Sequence, residues 1–150
     1  MRARRGASRV ATMMAAAVLL LTGPSGCGDL SEDELTRGVE SLSALAAQGE
    51  LIANGVARDA TKTTYTRVMA KTLGEEAEHE AEKLADATPS PGTKRERGAA
   101  VGIAGEIAQL FSELQTFPGE ERRGWLVQRH MREAKEEAEA LVDRLSEDDG

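Results

Sequence analysis

The chain is 150 residues long and carries 19 lysine and arginine against 26 aspartate and glutamate residues, for a formal net charge of −7. This length allows one domain, with or without a processed leader. Hydrophobic residues make up 40% and charged residues 30%, a balance typical of a globular protein. The acidic balance argues against a nucleic-acid partner, because nucleic-acid binders need a basic face. A single cysteine excludes an intramolecular disulfide and a multi-cysteine metal site.

Residues 1–26 differ in composition from the rest of the chain. They begin with a basic segment, continue with an apolar run of roughly 12 residues, and end in small and turn-forming residues. This order predicts a signal peptide for export, and the run is shorter than the ~20 residues that span a bilayer. The leader holds no acidic side chain, so its removal leaves a more acidic protein. The basic residues that removal would take away are Arg2, Arg4, Arg5 and Arg9.

Cys27 directly follows Ser25 and Gly26 at the end of this leader. The arrangement resembles a bacterial lipoprotein precursor, which is cut before the cysteine of a small-small-Cys motif; Pro24 stands where that motif usually has an aliphatic residue. The resemblance implies a covalent diacylglyceryl group and an N-acyl chain on Cys27. Because two or more acyl chains anchor a protein stably, the expected location is the extracytoplasmic face of the cell membrane or outer membrane. The alternatives are secretion without lipid and an uncleaved anchor.

After a tether at 27–30, good helix formers dominate and no sustained period-2 alternation occurs. Ser31 and Glu34 have the spacing of a capping box, which predicts the start of the first helix. A polar, flexible loop with two prolines is expected over 88–97 and an acidic tail over 147–150. The sequence predicts an all-α fold, an up-down-up-down four-helix bundle over 31–146. Apolar spacings of three and four place its helices at about 31–54, 59–87, 98–116 and 120–145.

Two features of these helices give specific expectations about packing. The apolar stripe of the second helix is expected to include Tyr65 and Val68 near its start. In the third helix Gly98, Gly102 and Gly105 recur at the spacing of small residues that lie between helices. This spacing predicts close contact with a neighbouring helix.

Glu76 and His79 form a Glu-x-x-His pair on one face of the second helix. In ferritin-like bundles, two such pairs and further glutamates bind metal inside the core. The fourth helix lacks the second pair, because Val127 lies three residues before His130. One hypothesis is therefore a metal-binding, ferritin-like bundle that uses Glu76 and His79. Its rival is a solvated acidic face formed by the glutamates around His79.

The remaining motifs favour a non-enzymatic protein without a cofactor. No nucleophile accompanies the two histidines, and no Gly-x-Ser-x-Gly occurs. One hypothesis is that a basic cluster contacts anionic headgroups or envelope polymers, with Arg122, Arg123 and Trp125 as the partner contact, and the alternative is a plain solvated loop. The cluster consists of Lys94, Arg95, Arg97, Arg122, Arg123, Arg129 and Arg132. The preferred hypothesis is a lipid-anchored module with an interaction or structural role, whose partners are the membrane and an envelope protein or polymer. A carrier of a small apolar ligand or lipid in the bundle interior is the second alternative.

Overall fold

Four long helices make up most of residues 29–147, the part of the chain that this computed structural model describes. The helices are α1 (Glu32–Ala57), α2 (Thr63–Asp86), α3 (Lys94–Thr116) and α4 (Glu121–Glu147). α1 packs most extensively against α4, and α2 against α3. The predicted all-α four-helix bundle is confirmed. None of the helices among these residues is long and apolar enough to cross a membrane. The predicted signal peptide, Cys27 and residues 148–150 of the acidic tail lie outside the described residues.

The start of α1 is the capping box that the sequence predicts. The Ser31 hydroxyl accepts a hydrogen bond from the backbone N–H of Glu34 at 3.2 Å, and the Glu34 carboxylate accepts one from the backbone N–H of Ser31 at 3.1 Å. The backbone and side-chain hydrogen bonds from Ser31 lower the pKa of Glu34. This reciprocal pair satisfies donors that a helix N-terminus otherwise leaves free.

The turn between α1 and α2 lies later in the chain than predicted. The first helix is predicted to end at about residue 54, but α1 continues to Ala57, and Gly55 does not have the positive φ of a helix-terminating glycine. Asp59 instead takes the left-handed conformation, with φ of 51°. Aspartate tolerates this region because its short side chain can bond locally. α2 consequently begins at Thr63 rather than at 59.

The loop between α2 and α3 is shorter than the predicted 88–97, because α3 begins at Lys94. Thr93 is buried, and its hydroxyl lies 2.9 Å from that of Ser90. One turn later the Arg97 guanidinium donates hydrogen bonds to the carbonyl oxygens of Ala85 and Ala87, at the end of α2. These hydrogen bonds join the first turn of α3 to the end of α2, and no pattern in the sequence indicates them.

Two strands of two residues each tie the start of the described chain to this loop. β1 (Asp29–Leu30) pairs in parallel with β2 (Thr88–Pro89), with Asp29 opposite Thr88 and Leu30 opposite Pro89. Leu30 is also buried and belongs to the core. The segment predicted as a tether is therefore fixed to the bundle from residue 29 onward.

The buried face of α2 differs from the predicted stripe. Tyr65 and Val68 are 53% and 58% exposed, so the expectation that they belong to the core is wrong. Phe111 of α3 is fully buried, and its Cβ lies 3.2 Å from where a side chain on Gly74 would begin. Gly74 on α2 leaves room for the Phe111 side chain, and Tyr65 and Val68 lie outside the face of α2 that packs against the other helices. The buried residues of α2 are Thr66, Ala70, Leu73, Gly74, Ala77 and Leu84.

Glycines have opposite surroundings in different helices. A Cβ on Gly124 would lie 2.5 Å from the backbone nitrogen of Ala57, so α4 and α1 approach closely there. By contrast, no atom of residues 29–147 lies within 4 Å of a Cβ position on Gly98, Gly102 or Gly105. The prediction that these three mediate helix contact is wrong, because α3 packs through the neighbouring face. That face consists of Ala100, Ile103, Ala104, Ile107, Leu110, Phe111 and Leu114.

Candidate interaction surface

The three residues predicted for partner contact lie in the first turns of α4, and they have different surroundings. Arg122 is exposed, and the Trp125 side chain is 54% exposed. Arg123 is half-buried: it pairs with Glu113 at 3.6 Å and lies over the Phe117 ring, 4.9 Å from its centre. Arg123 therefore joins α4 to α3, whereas Arg122 and Trp125 remain available at the surface.

The exposed surface extends along α4 beyond these residues. Leu126 is 38% exposed, and a shallow cleft of about 370 Å³ is lined by α4 residues alone, from Trp125 to Arg132. Residues three and four apart lie on one side of a helix, so this spacing forms a continuous strip. We call it the arginine–tryptophan face; it consists of Arg122, Trp125, Leu126, Arg129 and Arg132.

The arginines of this face differ in their partners. Arg132 donates two hydrogen bonds to one carboxylate oxygen of Glu50, at 2.8 and 2.6 Å, and so joins α4 to α1. Arg129 has a longer contact of 3.9 Å with Glu133, between two well-exposed side chains, and its Nη2 lies 3.4 Å from Nε2 of the adjacent His130. Arg122 makes no ion pair within residues 29–147. Arg122 and Arg129 are thus the cations of the face that are least engaged within the bundle.

Gln128 adds a polar atom that lacks a partner. Its side chain lines the same cleft, and its Oε1 is buried without a hydrogen-bond donor among the residues that the structure covers. Buried acceptors are normally satisfied. The sequence does not identify Leu126 and Gln128 as part of this surface, because no pattern in it distinguishes them from other helix residues.

Charge is divided unevenly along α4. Segment 122–132 contains four arginines and no acidic residue, whereas the second half of the helix is rich in acidic residues. The first turn nevertheless contains Glu121 and the last turn contains Arg144, which are the charges that helix termini favour. Because the helix dipole acts within the terminal turns, it does not account for the charges between them. The acidic residues of the second half are Glu133, Glu136, Glu137, Glu139, Asp143 and Glu147.

The arginine–tryptophan face lies near the end of the bundle opposite β1. α1 leads from β1 toward the α1–α2 turn, and Gly124 contacts the last turn of α1 at Ala57. At 1.5 Å per residue, α1 places this contact about 38 Å from Glu32. All large apolar side chains that are exposed within residues 29–147 occur in this half of the bundle. They are Leu51, Tyr65, Val68, Phe117, Trp125 and Leu126.

Glu76 and His79 do not face the interior. Both are exposed, whereas Ala77 between them is buried. In the described part of the chain, no group of three or more histidine, cysteine, aspartate or glutamate residues is arranged to hold a metal ion. A ferritin-like centre needs its Glu-x-x-His pair to project inward. This arrangement is not formed by Glu76 and His79, whose positions match the rival interpretation of a solvated face.

The interior that a carrier would use is occupied by side chains. Phe111, Leu35 and Met131 are fully buried in one apolar cluster between the helices. The clefts between neighbouring helices lie at the surface and include charged walls, as at Glu40 and Asp143. A ligand in the bundle would have to displace packed core residues.

No protein-family model, curated protein or solved structure matches this chain. Its function is therefore inferred from its own residues and their geometry.

Proposed function

We propose that this chain is a lipid-anchored, extracytoplasmic helical bundle that acts without catalysis as an interaction module of the cell envelope. One observation carries the proposal: the arginine–tryptophan face and the segment that follows Cys27 occur at opposite ends of the bundle. An anchor at Cys27 would hold one end at the membrane, and the exposed basic and aromatic residues would then be presented at the other end.

The short tether supports this orientation. Only Gly28 separates Cys27 from β1, and each residue reaches at most ~3.6 Å. Because β1 is paired to the α2–α3 loop, a lipid on Cys27 would hold that loop and the start of α1 close to the headgroups. The end of the bundle that carries β1 would therefore stay at the membrane surface.

Lipidation is tested by replacing the acceptor thiol. The full chain is produced in a bacterial host with labelled palmitate, and the membrane and soluble fractions are compared for the wild type and Cys27→Ser. We expect label and membrane association for the wild type and neither for Cys27→Ser. A mass spectrum of the membrane form should show cleavage before Cys27 and the added acyl chains.

Pro24→Leu provides a matched variant in the same motif. It puts an aliphatic residue at the position where the lipoprotein motif usually has one, so the processed and labelled fraction should equal or exceed that of the wild type. An unlabelled wild type would contradict the lipid anchor. Membrane retention of Cys27→Ser with residues 1–26 still attached would indicate an uncleaved anchor instead.

A further inference from the structure

We propose that the arginine–tryptophan face binds an acidic segment of another envelope protein, one that carries both carboxylates and apolar side chains. The inference rests on the proposed function, because the anchored end determines which surfaces are free. It adds the chemistry of the partner and the residues that recognise it.

Charge and apolar exposure on the face match such a segment. Carboxylates form charge-assisted hydrogen bonds with arginine, and Arg122 makes no ion pair within residues 29–147. The Arg129–Glu133 contact is long and exposed, so a partner carboxylate can replace it at little cost. Trp125 and Leu126 supply apolar area beside these charges, and tryptophan and arginine are the residues most enriched at binding hot spots.

The exposed apolar side chains favour a peptide over a phosphate polymer. Trp125 is 54% exposed and Leu126 38% exposed, and both line the same cleft as Arg129 and Arg132. A peptide segment can supply apolar side chains together with carboxylates, whereas a phosphate polymer supplies charge without apolar side chains. A peptide of both kinds of residue therefore complements the whole face.

The membrane is a poor occupant of the face. With Cys27 anchored, the face lies roughly 35 Å along the bundle from the attachment, by the rise of α1. A bundle that lay flat on α4 would also press its acidic second half, including Glu136 and Asp143, against anionic headgroups. Repulsion there would oppose the attraction of the arginines.

A second copy of the chain fits no better. The acidic half of α4 could meet the basic half of another copy only if the two helices were antiparallel. Two copies anchored in the same membrane surface stand parallel, so their basic segments would lie side by side. Like charges at that distance repel. Pairing between the α4 helices of two anchored copies is therefore unfavourable, which favours an acidic segment of a different protein.

Trp125 is the only tryptophan, so its fluorescence reports this face alone. The full chain in mild detergent is titrated with a short synthetic peptide of alternating glutamate and leucine, and with a peptide in which glutamine replaces glutamate. We expect a saturable blue shift of the Trp125 emission with the glutamate peptide only. The Kd should rise with salt, because exposed charges are screened.

Charge reversal locates the binding. Arg122→Glu with Arg129→Glu should raise the Kd by at least about tenfold. Lys94→Glu with Arg95→Glu makes the same change in net charge on exposed residues at the other end of the bundle, and it should leave the Kd within about twofold. Circular dichroism checks that both variants keep the helical content of the wild type.

Three results would overturn the proposal: equal effects of the two charge reversals, no shift with the glutamate peptide, or a stronger shift with phosphatidylglycerol vesicles or polyphosphate. Repeating the titration with Cys27→Ser separates this inference from the proposed function. If the wild type binds the glutamate peptide but carries no lipid, the proposed lipid anchor is wrong and the recognition of acidic peptides stands. If the wild type is labelled and membrane-bound but does not bind the glutamate peptide, only the inference about the acidic partner is wrong.

Discussion

The α1–α4 interface and the outward face of α3 use glycine with opposite consequences. At Gly124 the absence of a side chain lets α4 approach the backbone of α1, and at Gly49 it leaves room for Met131 and Phe111. On α3, Gly102 and Gly105 are exposed, and a Cβ on either would meet no atom of the described residues within 4 Å. A glycine inside a helix costs about 1 kcal/mol relative to alanine. Close packing offsets that cost in the first region, and no contact among residues 29–147 offsets it in the second.

Gly124→Ala is the strongest test of this difference. The new Cβ would lie 2.5 Å from the nitrogen and 2.9 Å from the Cα of Ala57, which are backbone atoms that cannot turn aside. We expect the free energy of unfolding to fall by about 3 kcal/mol, since overpacking outweighs the gain in helix propensity. Urea denaturation followed by circular dichroism measures the change. A stability equal to that of the wild type would show that α1 and α4 can separate without loss.

Gly102→Ala combined with Gly105→Ala makes the same chemical change on the open face of α3. The free energy of unfolding should rise by about 1 to 2 kcal/mol, because alanine is the better helix former and meets no neighbour. The same urea titration measures it, and Gly124→Ala is the control with opposite sign. Destabilisation by this pair would mean that the outward face of α3 has a contact that residues 29–147 do not supply.

Sequence patterns predict the parts of this fold that depend on neighbours along the chain. Apolar spacing identifies four helices, and the Ser31 capping box places the start of α1 because both partners lie within one turn. The prediction for Tyr65 and Val68 is wrong because the buried face of α2 depends on packing against other helices, as at Gly74 and Phe111. Glycine spacing failed on α3 for the same reason, since spacing does not specify which face meets a neighbour.

The candidate site shows the same limit. The sequence predicts a basic and aromatic surface around Arg122 and Trp125, and both are exposed. The sequence does not distinguish Arg123 from these two residues, although Arg123 pairs with Glu113 of α3 and lies over the ring of Phe117, which follows α3. Those contacts form only when the two helices pack, so no pattern within α4 reveals them.

The starts of α1 and α2 allow a smaller test, because α1 has a side-chain cap whereas Lys62 at the start of α2 provides none. Ser31→Ala removes the cap and should lower the free energy of unfolding by about 1 kcal/mol at neutral pH. Ser41→Ala, within the same helix, is the matched control and should lack this loss.

The effect of Ser31→Ala should also depend on pH, because the variant removes the hydrogen bond that the Ser31 hydroxyl donates to the Glu34 carboxylate at 3.0 Å. The backbone N–H of residue 31 contributes most to the lowered pKa of Glu34 and is kept by alanine, whereas the hydroxyl contribution is lost. A lowered carboxyl pKa stabilises the fold fully above the ordinary glutamate value, and the stabilisation is lost as the pH falls through the lowered pKa. Urea titrations at neutral pH and at about pH 3 should therefore show a smaller difference between Ser31→Ala and the wild type in acid. A difference that is unchanged in acid would mean that the bond between the hydroxyl and the carboxylate adds nothing to stability. The Ser31 hydroxyl would then stabilise α1 only as the acceptor of the Glu34 backbone N–H.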